Sequence, residues 1–209
     1  MGTRQVALLR GINVGRAKRV AMADLRALVE GLGYHDVVTL LNSGNVVFTA
    51  SGKEAGASAR RIEKALAAQL GVDARVFVLS ATELAVAIAE NPLGRLAHDP
   101  SRFLVAVTTS ASEQARLAPL VKQTWTPEAL AVGKRVAYLW CAEGIIASRL
   151  MQAVNRALGD GVTARNWATM TKLLALVHDD ASARPTGLTG HARVAARRAT
   201  RASAARRRS

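Results

Sequence analysis

Two short polar segments near the amino terminus contain the residue types that bind anions in proteins. The potential donors are Arg10, Gly11, Asn13 and Gly15 in the segment RGINVG, Arg16, Lys18 and Arg19 just after it, and Asn42, Ser43, Gly44 and Asn45 in the segment NSGN. Cationic side chains, carboxamides and the free backbone N–H groups of glycine turns donate hydrogen bonds to phosphate or carboxylate oxygens. We therefore predict a binding site for an anionic ligand, such as a phosphorylated small molecule, where the two segments meet.

The surrounding elements are predicted to bring the two segments together. The run VALLR is a predicted strand, residues 22–32 have apolar positions at helical spacing, and DVVTLLNSGNVVF is a predicted hairpin that turns at NSGN. A helix over 54–70 and a strand over 74–79 complete a strand–helix–strand–strand–helix–strand order, which is typical of the ferredoxin-like plait. In that fold the first strand runs antiparallel to the third, so its exit and the entrance of the third strand share one sheet edge.

A purely structural role for the same residues is the competing interpretation. Glycine and asparagine supply the positive φ angles of tight turns, and the side chain of Asn13 or Asn45 can hydrogen-bond to neighbouring backbone. The segments also lack the GxxxxGK[ST] and GxGxxG spacings of the common nucleotide-binding loops. The sequence alone leaves both interpretations open.

A second candidate anion site lies late in the chain, in the segment TARNW. Thr163, Arg165 and Asn166 come directly before a predicted helix, whose amino-terminal end carries a partial positive charge. In the alternative interpretation Asn166 caps this helix, Trp167 anchors it in the core, and Arg165 is solvated or ion-paired.

The rest of the chain predicts a second copy of the same element order. RFLVAVTT is a predicted strand, SEQARLAPL a short helix, and EALAV and RVAYLWC two strands; a helix over 146–158, a brief strand over 161–164 and a final helix follow. The predicted fold class is α+β, with two tandem ferredoxin-like plaits. The predicted regions are 1–80 for the first plait, 81–100 for a linking helix and loop, 101–180 for the second plait with its final helix, and 181–209 for a disordered, arginine-rich tail.

Composition restricts the classes of protein to which the chain can belong. Half of the residues are hydrophobic and only 4% are aromatic, so we expect a core built from Ala, Val and Leu. The single cysteine, Cys141, excludes an intramolecular disulfide and gives no sign of an oxidising compartment. No run approaches the ~18 apolar residues of a membrane span. We expect a cytoplasmic protein that does not contact membranes.

Side chains with catalytic chemistry are present but isolated. The histidines His35, His98, His178 and His191 show no metal-ligand spacing with one another or with Cys141. The sequence has no GxSxG motif and no carboxylate pair marked out by its context. We predict no metal and no cofactor. Whether the protein is an enzyme stays open, and a groove between the two plaits is the alternative location for its site.

The basic tail predicts a second kind of partner. The formal net charge is +14, and residues 181–209 contain eight arginines and no acidic residue. Arg193, Arg197 and Arg201 share one face if this segment becomes helical on binding. We predict weak, sequence-independent nucleic-acid binding, because such contacts are made with phosphates. A merely solubilising tail is the alternative.

Several long motifs in a fixed order resemble one known family. They are VALLRGINVGRAKRVAMADLRALVEGLGYHDVVTLLNSGNVVF, ENPLGRLAHDPSRF, VAYLWCAEGIIASRL and GVTARNWATMTKLLAL. On these motifs the chain is identified as a member of the domain-of-unknown-function family 1697, over residues 4–178. The resemblance implies an α/β fold of plait-like subdomains and supplies no catalytic residue, cofactor or substrate. The chain differs from the family pattern at Asn42, where a longer amide is usual, and at Ala142, where proline is usual.

Overall fold

The structure is a computed structural model that describes residues 2–14, 18–51 and 55–182. The elements of the amino-terminal half are β1 (Thr3–Leu9), α1 (Met22–Gly31), β2 (His35–Leu40), β3 (Asn45–Ala50), α2 (Ala55–Leu70) and β4 (Val76–Ser80). Helix α3 (Ala81–Ala89) connects this half to the next. The elements of the carboxy-terminal half are β5 (Phe103–Thr108), α4 (Ala111–Ala115), α5 (Ala118–Val121), β6 (Ala129–Val132), β7 (Val136–Trp140), α6 (Arg149–Leu158), a 3-10 turn (Gly159–Gly161), β8 (Val162–Asn166) and α7 (Trp167–Ser182).

Each half contains one four-stranded antiparallel sheet. The strand order is β2-β3-β1-β4 in the first sheet and β6-β7-β5-β8 in the second. In the first sheet β1 is central, with Leu8 opposite Asn45 of β3 and Leu9 opposite Val76 of β4. In the second sheet β5 takes the same central place between β7 and β8. The predicted α+β class is confirmed, as two antiparallel sheets with helices.

Three apolar clusters hold the layers together. The first packs α1 and α2 on one face of the first sheet, which receives Ala7 and Leu9 of β1. The second joins the opposite face, which receives Val6 and Leu8, to the second sheet and to α3 and α7. The third lies between the second sheet and the helices α5 and α6. Residues 5–9 of β1 are buried on both faces, and the next side chain, that of Arg10 at the strand's exit, is again partly solvent-accessible.

Several element boundaries differ from the sequence predictions. Helix α6 begins at Arg149 instead of 146, because the hydroxyl of Ser148 accepts a hydrogen bond from Met151 N–H at 2.9 Å and caps the helix there. The single short helix predicted over SEQARLAPL is two helices, α4 and α5. Helix α7 extends to Ser182, and the rest of the predicted tail, 183–209, lies outside the described residues. No helix in the described ranges is both long and apolar enough to cross a membrane.

Glu83 stabilises the start of α3 and also binds Arg135. Glu83 N–H donates to Ser80 Oγ at 3.2 Å, and Ser80 N–H donates to Glu83 Oε2 at 2.8 Å, which forms a capping box. The other carboxylate oxygen lies 2.7 Å from Arg135 Nη1. Burial raises the pKa of Glu83, but the hydrogen bonds from Ser80 and the Arg135 guanidinium outweigh it and hold the pKa below its ordinary value of 4.5.

We expect Glu83 to contribute to the acid sensitivity of folding. Because its pKa is lower in the folded chain than in the unfolded chain, its contribution is complete above pH 4.5 and is lost as the pH falls through the folded-state pKa. Glu83→Gln should therefore destabilise the protein at about pH 7 and have progressively less effect towards about pH 3. Urea unfolding of both proteins over this range measures the difference. A difference that does not change with pH would contradict the role assigned to the charge.

Candidate anion-binding site

The segments RGINVG and NSGN meet at one end of the first sheet. Leu9 N–H donates to the carbonyl of Gly44 at 2.8 Å. A Cβ atom on Gly44 would lie only 2.6 Å from Ile12 Cδ1 and 2.9 Å from Leu9 Cβ, so the two segments pack directly on each other. We call the surface formed by Gly11, Ile12, Asn13, Ser43 and Gly44 the loop rim.

Arg165 of β8 inserts its guanidinium beneath the loop rim and joins the two sequence-predicted sites into one place. The side chain donates hydrogen bonds to carbonyl, carboxamide and hydroxyl oxygens from both halves of the chain. These acceptors are Asn45 Oδ1 at 2.5 Å, Leu9 O at 2.7 Å, Ala164 O at 2.9 Å, Ser43 O at 3.0 Å and Thr163 Oγ1 at 3.1 Å. Arg165 thus satisfies carbonyls that the two turns leave without a partner in the sheet.

The positive charge of Arg165 is not neutralised by an ion pair within the described part of the chain. Its side chain is largely buried, and burial lowers its pKa to about 10. A buried charge held only by neutral acceptors is unusual, since buried ions are ordinarily paired with an opposite charge. The loop rim therefore lies directly above an excess of positive charge.

Arg10 connects the exit of β1 to the start of β8. Its Nη1 donates to Val162 O at 2.6 Å, and its Nε lies 3.3 Å from Asp160 Oδ1. The Arg10 side chain is 29% exposed and that of Asp160 is 85% exposed, so solvent screens this ion pair and it contributes little to stability. Arg10 therefore keeps part of its guanidinium at the surface beside the loop rim.

The carboxamides of Asn13 and Asn45 are occupied by backbone groups. Asn13 Nδ2 donates to Val20 O and Asn42 O, both at 2.8 Å, and Asn13 Oδ1 accepts from Val20 N–H at 2.8 Å. Asn45 Nδ2 donates to Leu40 O at 2.7 Å. These contacts are those of the competing structural interpretation, and they leave backbone N–H groups as the donors that the loop rim offers to a ligand.

The backbone angles of the hairpin turn differ in part from the sequence prediction. Positive φ angles occur at Gly44 (77°) and Leu41 (59°), whereas the prediction placed them at Asn42 and Asn45 as well as the glycine. In the other segment, Gly11 (67°) and Asn13 (56°) have positive φ. Leu41 is half exposed, so its side chain does not explain the conformation.

The loop rim has backbone donors that the fold does not use. No described residue accepts a hydrogen bond from the backbone N–H of Gly11, Ser43 or Gly44. Because a trans peptide holds its C=O and N–H in opposite directions, the Ser43 carbonyl that faces Arg165 directs the Gly44 N–H to the other side. Hydrogen bonding to a charged group polarises the peptide and strengthens the donor at its far end.

The other predicted site residues have different surroundings. The Lys18 side chain is exposed and makes no hydrogen bond with a described residue, although its carbonyl accepts from Asn13 N–H at 3.0 Å. Thr163 contacts Arg165. Asn166 caps α7, accepting from Thr169 N–H at 2.9 Å. Gly15 lies outside the described residues, as do Arg16 and Ala17.

Three residues that the sequence does not mark out, Leu9, Asp160 and Val162, complete the contacts of Arg165 and Arg10. Leu9 and Val162 take part through their carbonyl groups, so their side chains give no sequence signal. Asp160 lies in the segment GDG, which is typical of an ordinary turn. Sequence patterns do not reveal contacts between elements 150 residues apart.

Comparisons with known proteins agree on the fold and give no activity. No curated protein matches the chain. The solved structure described as conserved bacterial protein SP0830 from Streptococcus pneumoniae superposes with a TM-score of 0.69 at 25% sequence identity, over 85% of this chain and 99% of that one. A family model described as "Protein of unknown function (DUF1697)" matches residues 2–138, from β1 into β7. Because this match covers well over half of the chain, the protein belongs to the DUF1697 family.

Proposed function

We propose that the protein binds a phosphorylated or otherwise anionic small molecule at the loop rim. The observation that carries this proposal is the largely buried charge of Arg165, which no acidic residue in the described ranges neutralises. An anion above the rim would offset that charge without displacing any hydrogen bond of the fold. The N–H groups of Gly11 and Ser43, both of which are exposed residues, would bind its oxygens directly.

Cationic side chains around the rim support the same ligand class. Arg10 is partly exposed beside it, and Lys18 and Arg19 are exposed on the adjoining segment. Such a concentration of positive charge attracts anions before contact and raises their association rate. The side chains that the fold already uses, those of Asn13 and Asn45, serve to hold the rim in shape and do not contact the ligand.

The proposal also includes a fold type, regions and a cellular location. We infer that each half is a ferredoxin-like plait, because the order βαββαβ and the strand order β2-β3-β1-β4 agree with that fold. The regions stay those of the sequence prediction: 1–80, 81–100, 101–180 and 181–209. A cytoplasmic location agrees with the single cysteine, Cys141, which is buried and unpaired.

Two further functions remain candidates. Weak nucleic-acid binding through 181–209 is favoured by its eight arginines. An enzyme acting between the two halves is favoured by the position of Arg10, whose contacts cross from one half to the other. Consumption of a metabolite that is lost in Arg10→Ala would support the enzyme, whereas binding without turnover supports the binding protein.

Titration with inorganic phosphate tests the loop rim. We expect the amide NMR signals of Gly11, Ser43 and Gly44 to shift, and we expect Arg10→Ala to weaken this binding about fivefold, because it removes a charged group beside the ligand. Arg26→Ala is the matched control, since Arg26 is an ion-paired surface arginine of α1 that does not belong to the rim. Binding that leaves these three amides unperturbed would refute the proposal.

A further inference from the structure

A cleft of about 280 Å³ lies on the other side of β1 from the loop rim, beyond the edge strand β4. Its walls come from both halves of the chain. The lining residues used below are Gly56, Ala59, Arg60 and Glu63 of α2, Arg75 and Val78 at β4, and Thr109 and Arg135 of the carboxy-terminal half. Cavities that bind drug-sized molecules occupy ~300–1,000 Å³, so this cleft suits a smaller ligand.

The α2 wall leaves the cleft open because its residues there are small. Gly56 and Ala59 face the space, and among the described residues a Cβ atom added to Gly56 would meet only Arg60 Nη1, at 3.7 Å.

Positive charge predominates around the cleft. Arg60, Arg75 and Arg135 line it, against the carboxylate of Glu63 and that of Glu83, which is paired with Arg135. The side chains of Arg60 and Arg75 donate no hydrogen bond to a described residue, and Arg75 Nε is 3.9 Å from Glu63, too far for one. Arg75 thus forms a loose ion pair with Glu63, and its guanidinium and that of Arg60 keep hydrogen-bond donors for a ligand on the α2 and β4 side.

Arg135 is held rigidly on the opposite wall. Its Nη1 binds Glu83 at 2.7 Å and its Nη2 donates to Thr108 O at 3.4 Å. Its backbone N–H donates to Gln114 Oε1 at 3.1 Å, and its carbonyl accepts from Thr108 N–H at 3.1 Å. The residue also has a positive φ of 64°, so several independent contacts fix a conformation that is costly for arginine.

The free edge of β4 supplies a neutral donor. Arg10 N–H donates to Arg75 O, so the backbone groups of Arg75 face β1. Because successive residues of an antiparallel strand direct their backbone groups to opposite sides, the N–H groups of Val76 and Val78 point away from β1. Glu63 Oε1 accepts from Val76 N–H at 2.9 Å. No described residue accepts from Val78 N–H on that side, which faces the cleft.

We propose that this cleft is a second ligand site, which binds a small phosphate-bearing molecule between Arg75 and Arg135. Donors approach the cleft from opposite walls, the guanidinium groups from two sides and the Val78 N–H from the β4 edge. A tetrahedral phosphate can accept hydrogen bonds from several directions at once, whereas a planar carboxylate is best matched by a single guanidinium. Phosphate should therefore bind here more tightly than acetate.

NMR titrations of the full-length chain with inorganic phosphate and with acetate test this proposal. We expect phosphate to shift the amide signals of Val78 and Thr109 at lower concentration than acetate does. Arg75→Gln should weaken the phosphate response about tenfold, the effect of losing one charged hydrogen bond. Arg135→Gln should weaken the phosphate response to the same extent if this variant folds. If it does not fold, the result for Arg75→Gln alone tests the proposal. Arg26→Gln, which removes an ion-paired arginine outside the cleft, should have no effect.

The NMR titration tests the cleft independently of the loop rim. Shifts at Gly11, Ser43 and Gly44 report the rim, and shifts at Val78 and Thr109 report the cleft, so either site can fail alone. The cleft proposal is wrong if phosphate leaves Val78 and Thr109 unperturbed, if acetate binds there as tightly as phosphate, or if Arg26→Gln weakens the response as much as Arg75→Gln.

Discussion

Replacing Arg165 with alanine should destabilise the protein by about 2–6 kcal/mol, because acceptors of two buried residues, Leu9 and Asn45, lose their donor. Leu9 O and Asn45 Oδ1 lie in buried residues that water does not reach, whereas Ser43 O is exposed and can bind water once the donor is gone. Each buried acceptor without a partner costs about 1–3 kcal/mol. The loss should appear as a lower urea midpoint in equilibrium unfolding followed by circular dichroism.

A graded series separates the geometry of Arg165 from its charge. Arg165→Lys keeps the charge, but a lysine ammonium cannot reach acceptors on both sides as the planar guanidinium does, so we expect an intermediate loss. Arg102→Ala is the control: its side chain is half exposed and bonds Ala142 O and Asp99, so its removal should cost less than about 1 kcal/mol. If Arg165→Ala and Arg102→Ala lower the free energy of unfolding by the same amount, Arg165 does not hold the two halves together.

Arg165 also explains why the site was only partly predictable. The meeting of RGINVG and NSGN follows from the antiparallel pairing of β1 with β3, which places Leu8 opposite Asn45. That inference requires only the order of elements within one half. The insertion of Arg165 under both segments depends on how the second sheet packs on the first, and apolar patterns indicate which face is buried without indicating what it packs against.

The same limit applies to the cleft. Arg75 and Arg135 are 60 positions apart, in the short segments DARVF and GKRVA, and neither segment has a motif. Their proximity arises because β4 is the edge strand of the first sheet and the β6–β7 turn of the second sheet lies beside it. Which strand lies at the edge of a sheet depends on the three-dimensional strand order, and local sequence patterns do not contain this order.

Local structure was predicted more completely, and the errors have local causes. Leu25, Leu28 and Val29 are buried on the inner face of α1, as their helical spacing indicates. The sequence predicts a start of α6 at 146, yet Ile146 is 97% exposed and the cap is Ser148. A serine with helix-forming residues after it is a stronger start signal than an isolated apolar pair.

Gly44→Ala should cause the second largest loss of stability, about 2–4 kcal/mol, by combining two unfavourable terms. Gly44 has a φ of 77°, which costs about 1–2 kcal/mol for a residue with a Cβ atom. The new Cβ would also lie 2.6 Å from Ile12 Cδ1 and 2.9 Å from Leu9 Cβ. Ile12 Cδ1 can rotate away, but Leu9 Cβ moves only if the backbone of β1 moves with it.

Gly33→Ala isolates the conformational term, because Gly33 has nearly the same φ, 80°, but no atom of a described residue lies within 4 Å of its ideal Cβ position. Its cost should be limited to the conformational term, about 1–2 kcal/mol. The excess loss in Gly44→Ala over Gly33→Ala, measured by urea unfolding, then reports how tightly the segments RGINVG and NSGN are packed. Since a displaced turn also moves Ser43 O away from Arg165, Gly44→Ala should weaken phosphate binding at the loop rim while Gly33→Ala leaves it unchanged. Equal losses in the two variants would mean that the segments separate easily, and that the loop rim is not a preformed surface.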